Sequence, residues 1–385
     1  MSLSEQPLSE PVTGSRLTIA RVETIPIRVP LGRVYRGSNY SMAYRSTIIV
    51  RVFTEQGIVG EAYAGDEDSG LFEVEAIIRD EIAPRLIGED AFAIERCWEL
   101  ARPATFDILR DRRLSLVACA CIDSALWDAI GKALGQPLWR LWGGYRSELP
   151  MMCIGGYYDS PMSIGEEIAE LRELGLCAMK FKVGGADPET DARRFREARE
   201  AAGPNFVLAA DGNQGFALED ALRFARLVRD LDLYWFEEPC HWHNDRRAMR
   251  DVRMMADVRV CAGQSEFSAG GARDLMVAGS VDFCNFDASW SGGPTEWRRV
   301  AGMALVFDVR MAHHEEPQIA SHLLASIPHG SFVECFHPDR DPIWWNLIVN
   351  RPALVGGCVT LPSQPGLGWD LDLDFVERYR VSSPA

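Results

Sequence analysis

The chain has 385 residues, is 47% hydrophobic and 25% charged, and carries a formal net charge of −16. That length buries a large core and calls for two domains, or one barrel plus an addition, in a soluble globular protein. The acidic excess argues against general nucleic-acid or anionic-membrane binding, either of which needs a concentrated basic face, but leaves room for a local basic pocket that holds a small acid.

Residues 1–16, rich in Ser, Pro and Glu, are expected to be disordered, with no secretory-signal pattern, and no apolar run is expected to reach membrane-spanning length. Residues 17–22 and 46–53 read as strands, with a turn at 54–57. Between them, residues 32–40 are Gly-rich, basic and aromatic, which suits a surface loop or a lid over an anionic ligand; residues 63–70 form a second candidate lid. Residues 71–141 are helical in pattern, with Pro84, Pro103 and Pro137 as punctuation. The last helix, around 116–134, is lined with Ala, Cys and Ser that permit close packing, and Gly143-Gly144 marks a boundary. Ten cysteines, without a Cys-x-x-Cys pair, suit buried free thiols in a reducing, cytoplasmic compartment.

Beyond residue 145 the pattern becomes strand, loop, amphipathic helix. Strand ends fall near Gly155, Lys182, Asp211, Glu237, Gln264, Asp287, His314 and Glu334, a spacing that suits eight βα units closing a parallel barrel. Such a barrel gathers the carboxyl ends of its strands at one rim. Lys180 and Lys182 alternate on one strand and so share a face; crowding disfavours one proton, leaving one amine as a base while the other holds an anion. An isolated Lys-x-Lys is more often a solvated surface pair, and a lone acid more often a helix cap. Convergence changes the weighting: Asp211, Glu237 and Glu266 on successive strands repel unless a hard cation such as Mg2+ sits between them. His314 beside Asp287 suits an oriented acid or base, and Glu334 in an apolar run suits a neutral, hydrogen-bond-donating carboxyl.

The order Lys180-x-Lys182, Asp211, Glu237, Glu266, Asp287, His314, Glu334 resembles the enolase superfamily, mandelate racemase subgroup, with supporting matches at 122–128, Gly131-Lys132, Glu237-Glu238-Pro239 and 365–368. The resemblance implies an α/β fold: a modified, TIM-like (β/α)-barrel over 145–355, an α+β capping domain over 17–144, and a segment 356–385 that returns to the capping domain. It also implies abstraction of the proton next to a substrate carboxylate, giving an enediolate stabilised by Mg2+. Lys182 is then the base on one face, with Lys180 lowering its pKa and touching the carboxylate. His314, oriented by Asp287, works on the other face; Glu334 donates a hydrogen bond to the carboxylate, and Asn213 contacts a hydroxyl.

Two departures stand out. Ungapped alignment puts Gln264 at the usual third metal position, and Glu266 is favoured on charge because both share strand parity. His313 and His314 are adjacent, face opposite ways, and His314 is the catalytic choice. The expected function is dehydration of a sugar acid, aldonate or aldarate, to a 2-keto-3-deoxy acid; a 2-hydroxy-acid racemase or epimerase is the alternative, and a non-catalytic ligand-binding relative lies outside enzymology. Arg33, Tyr35, Arg36, Tyr40 and Arg45 suit a polyhydroxylated, even dicarboxylic, substrate, with Arg36, Tyr40, Asn213 and Gln264 as binding residues. His241, Trp242, His243, Trp344 and Trp345 lie near strand ends, where the tryptophans suit packing or the interface of a homo-oligomer.

Overall fold

The computed structural model describes residues 16–66 and 69–382. The expectation of disorder at the amino terminus, and part of the second lid, therefore lie outside the described residues. Three antiparallel strands come first: β1 (Ile19–Arg36), β2 (Ser41–Thr54) and β3 (Val59–Tyr63), in the order β1-β2-β3. The segment 32–40 is thus mostly strand. Its polar composition reads as loop, but Tyr35 pairs with Met42 and Arg36 with Ser41, so only the tip around Gly37–Tyr40 turns, after a register shift beyond Pro30.

This sheet packs on the helix Arg112–Ala133, which lies between sheet and barrel and is buried along almost its whole length. It is long and apolar enough to cross a membrane by length and composition, contrary to the sequence expectation, yet its surface is covered by protein. Close approach is allowed by Gly60, where an added Cβ would fall 2.0 Å from the Ala125 carbonyl oxygen.

Eight parallel strands follow: β4 (Glu148–Gly155), β5 (Ala178–Lys182), β6 (Val207–Asp211), β7 (Leu233–Glu237), β8 (Val260–Cys261), β9 (Phe283–Cys284), β10 (Arg310–Met311) and β11 (Val333–Phe336). Their order is β10-β9-β8-β7-β6-β5-β4-β11, and a parallel bridge from Met311 to Gly330 brings β10 toward β11. Period-two alternation is visible in β5. Ala178 joins Met152, Ala209 and Trp235 in an interior floor, whereas Met179 and Phe181 face outward into the main core. A short strand β12 (Cys358–Thr360) pairs antiparallel with β4 at its entry end.

The motif 122–132 ties the units together. Asp123, 2% exposed, accepts hydrogen bonds from Thr295 N and Oγ1, both at 2.8 Å, at the start of the barrel helix Pro294–Val306. Asp128 accepts from Glu61 N on β3 and from Leu367 N, each at 2.7 Å, and Lys132 pairs with it at 2.6 Å. Gly366 is required here: its φ is 76°, and a Cβ would lie 2.2 Å from Asp128 Oδ1. Val381 N then donates to Pro26 O, so the carboxyl-terminal segment lies against β1. Eight cysteines are buried, but Cys177 is exposed and Cys358 half-buried, unlike the expected uniform burial.

Burial raises the Asp123 carboxyl from its usual 3.8 to about 7, against the hydrogen bonds from Thr295. Because the folded state holds this proton more tightly, its contribution is fully present below about pH 4 and is lost as pH rises toward 7. In denaturant titrations, Asp123→Asn should flatten that pH dependence, while Asp123→Ala should cost about 1–3 kcal/mol through the unpaired Thr295 donors. An Ala variant as stable as wild type would contradict the clamp.

Candidate active site

The side chains of β5, β6, β7 and β11 meet above the apolar floor. Lys180 is fully buried; its Nζ donates to Glu237 Oε1 at 2.5 Å and Glu334 Oε1 at 2.6 Å and lies 3.7 Å from Asp211 Oδ2. Lys182 Nζ donates to Asp211 Oδ2 and Asn213 Oδ1, both at 2.8 Å, and stands 5.4 Å from the Tyr40 ring centre. Asp211 and Glu237 are register partners on neighbouring strands, and Trp235 Nε1 holds the other Glu237 oxygen at 3.1 Å. The hairpin tip of β1–β2 rests on this rim, Ser38 Oγ donating to Gly212 O at 3.2 Å and Asn39 Nδ2 to Asn213 O at 3.3 Å.

The electrostatics differ from the expectation for two crowded lysines. Burial pulls the Lys182 amine down and Lys180 adds to this, but Asp211 and Tyr40 outweigh both, and its pKa is raised. Lys180 is also raised, by Glu237, Glu334 and Asp211 against burial. Burial pushes Glu237 up, helped by Asp211 and Glu334. Asp211 is held below its usual range, because Lys182 and Lys180 overcome its burial. The carboxylates thus hold both amines as cations; a neutral Lys182 requires a competing positive charge on Asp211.

In the loop after β10, His314 Nδ1 lies 2.9 Å from Asp287 Oδ2. Asp287 is itself fixed by Ser289 N at 2.7 Å and Ser289 Oγ at 2.6 Å, and the Trp290 ring lies 4.7 Å from the imidazole. His313 turns the other way, between the Ala288 amide at 3.0 Å and the His314 carbonyl at 2.8 Å, as a packing residue. Glu315, unnoticed in the sequence, places Oε1 3.3 Å from His314 Nε2, and its amide donates to Glu334 Oε2 at 3.0 Å. Although burial opposes it, Glu315 and Asp287 raise the His314 pKa well above its usual value, whereas burial lowers that of His313.

Two expected residues are placed elsewhere. The Glu266 carboxylate is held by Arg246 Nη2 at 2.8 Å on both oxygens, on the outer helix side of the rim. Shared parity fails because β8 ends at Cys261 and residues 263–266 form a turn, closed by Glu266 N to Gly263 O at 3.0 Å. Gln264, 6% exposed, faces Asn285, whose Nδ2 donates to its Oε1 at 3.0 Å. Arg36 is also corrected: strand alternation buries Tyr35 and turns Arg36 outward to Asp159, 3.1 Å away. Arg45 is buried in an ion cluster with Glu316 at 2.6 Å, Asp341 at 3.1 Å and Asp66 at 3.5 Å, where it joins the two units. Among the described residues, no three His, Cys, Asp or Glu side chains converge as a metal cage. The donor set still fits a hard divalent cation: carboxylates of Asp211 and Glu237, the Gln264 amide oxygen at the next strand end, and two ammonium groups now serving as their counter-ions.

In histidine-labelled protein, the NMR signals of His314 should titrate above the ordinary imidazole range, while His313 should stay neutral down to acid pH. Asp287→Asn should move the His314 transition downward. A His314 that titrates normally in wild type would contradict the Asp287–His314–Glu315 arrangement.

Residues 19–143 match the family described as "Mandelate racemase / muconate lactonizing enzyme, N-terminal domain", and residues 163–375 match "Enolase C-terminal domain-like". A crystal structure of a mandelate racemase/muconate lactonizing enzyme from a marine actinobacterium, in complex with magnesium, is 57% identical. It covers 95% of this chain and 100% of its own, with a TM-score of 0.91. The 3,6-anhydro-alpha-L-galactonate cycloisomerase of Streptomyces coelicolor is 29% identical over 94% of this chain and 99% of its own length. The arabinonate dehydratase of Saccharolobus solfataricus is 25% identical over 87% of this chain and 91% of its own. The chain thus belongs to the mandelate racemase/muconate lactonizing enzyme family of the enolase superfamily.

Proposed function

We propose that the protein is a Mg2+-dependent dehydratase of a sugar acid. The observation that carries this reading is that two groups able to move protons, Lys182 on β5 and a His314 whose pKa is raised by Glu315 and Asp287, belong to one buried network joined through Glu334, which Lys180 binds on one oxygen and the Glu315 amide on the other. Elimination of water next to a carboxylate needs a base for the α-proton and an acid for the departing β-hydroxyl, and a cationic imidazole suits the second task. Support also comes from relatives between 25% and 29% identical, which are acid-sugar dehydratases and cycloisomerases, and from the magnesium in a structure 57% identical.

Asp211, Glu237 and the Gln264 amide would hold the ion. When bound, Mg2+ supplies Lewis-acid stabilisation of the charge that develops on the substrate carboxylate. The remaining roles belong to the chain. Lys182 takes the proton once Asp211 no longer holds its amine as a cation. Lys180, anchored between Glu237 and Glu334, meets the carboxylate with its fixed positive charge. Glu334 faces the same end and the Glu315 amide fixes its far oxygen. His314, held by Asp287 through Nδ1, returns a proton from Nε2 to the leaving hydroxyl. The hairpin tip on Gly212 and Asn213 excludes water, and Asn213 and Tyr40 border the sugar chain.

Incubation with Mg2+ across a panel of aldonates and aldarates should yield a 2-keto-3-deoxy acid from a small subset. Lys182→Ala should lower kcat by about 10²–10⁴-fold while metal binding persists. Inverted acid without keto acid would favour a racemase, and silence across the panel with metal bound would contradict dehydration. In thermal melts, Mg2+ should stabilise wild type and Glu266→Gln equally, and stabilise Gln264→Ala less. The reverse ranking would return Glu266 to the metal.

A further inference from the structure

A second buried polar cluster is left unused by the chemistry just described. The loop after β11 carries Arg340 and Asp341, both buried. Their environments differ in kind. Neighbouring Arg45 has its guanidinium matched by Glu316, Asp341 and Asp66. Arg340, 1% exposed, has Asp66 at 3.7 Å and Met42 Sδ against Nη2, but its Nε and Nη1 have no hydrogen-bond partner among the described residues. A buried guanidinium with unpartnered donors is costly unless something else brings acceptors to it.

The place where those acceptors would sit is set by its neighbours. The Arg340 guanidinium lies over the Phe336 ring at 4.3 Å and 5.9 Å from the Tyr35 ring, in a cluster that includes Tyr157 and against which Tyr40 packs; its charge also acts on Glu315. Tyr40 is the ring beside Lys182, and Glu315 is the carboxylate beside His314, so Arg340 sits among residues that flank both proton-transfer groups. Tyr157, at the exit of β4, has a hydroxyl that is also buried, makes no well-formed hydrogen bond among the described residues, and interacts with the Tyr40 hydroxyl. Apolar walls enclose the spot: the Tyr35 and Tyr157 rings meet edge to face at 5.2 Å, and Phe336 lies 4.3 Å from the Arg340 guanidinium carbon. In the proposed chemistry the reacting carboxylate is received elsewhere, at the Lys180 ammonium that Glu237 and Glu334 anchor.

We infer that Arg340 and Tyr157, closed over by Tyr40, form a subsite for the far end of the substrate, and that this end is a second carboxylate. The acid processed is then an aldarate, a sugar diacid, rather than an aldonate ending in a hydroxymethyl group. This inference rests on the sugar-acid reading of the site and narrows it. A guanidinium with free donors matches a carboxylate better than a neutral alcohol, because charge-assisted hydrogen bonds are shorter and stronger.

The test compares six-carbon aldarates with aldonates of the same configuration, using the Mg2+-loaded enzyme. The expected result is an aldarate preference in kcat/KM of about 10- to 100-fold, the worth of one charge-assisted contact. Arg340→Met should erase that preference mainly through KM, leaving the aldonate rate within about threefold. Tyr157→Phe should weaken aldarate binding in the same direction and retain the fold if Arg340→Met does not. Equal handling of both acid classes by wild type, or an equal loss for both in the variants, overturns the inference while leaving dehydration standing. If no acid is turned over, the dehydratase reading fails and calorimetric binding decides the subsite. Aldarate binding over aldonate that Arg340→Met abolishes supports it, and equal or absent binding overturns it.

Discussion

A lysine ammonium that water does not reach has to be neutralised from within the fold, and Lys180 sets that constraint for the whole site. It is fully buried, and its partners come from β7 and β11, with Asp211 of β6 slightly farther away. No local segment can deliver carboxylates from three directions to one amine. A curled parallel sheet does so, since side chains of one parity point inward and the strand ends share a rim. The same constraint accounts for the covering hairpin. With Ser38 and Asn39 anchored on the 212–213 loop and Tyr40 beside Lys182, the capping unit keeps the dielectric low around charges that a solvated site would screen.

The two units hold that geometry through buried polar clamps rather than through apolar contact alone. Asp123 binds the start of a barrel helix, Asp128 binds β3 and the returning segment, and Arg45 bridges β2 to Glu316 and Asp341. The motif that most resembles the family outside the barrel is therefore architectural. Breaking one partner of such a buried pair leaves an uncompensated charge, which makes the register between lid and barrel strongly specified.

The sequence was legible where strands are long enough for period-two parity to hold. Lys180, Lys182, Asp211 and Glu237 sit on strands of five residues and converge as alternation requires. Parity ceased to inform at β8, where two strand residues are followed by a turn; Glu266 consequently points to Arg246 while Gln264 stays at the rim. Charge preference alone favoured Glu266, whose carboxylate the structure pairs with Arg246. The 32–40 segment misled in the opposite sense, its glycines and arginines hiding a hairpin whose outward face tolerates them. Glu315 and Arg340 were invisible because each lies in a polar loop after its strand and gains meaning only from residues on other strands and on the capping hairpin.

The central claim is a division of labour, with Lys182 removing the α-proton and His314 assisting the departing hydroxyl. It is tested most directly by following a turned-over sugar acid with His314→Asn in deuterated water containing Mg2+. The account predicts deuterium at the α-carbon of recovered acid with little keto acid formed, and no such exchange in Lys182→Met. Exchange that survives in Lys182→Met and vanishes in His314→Asn would contradict it.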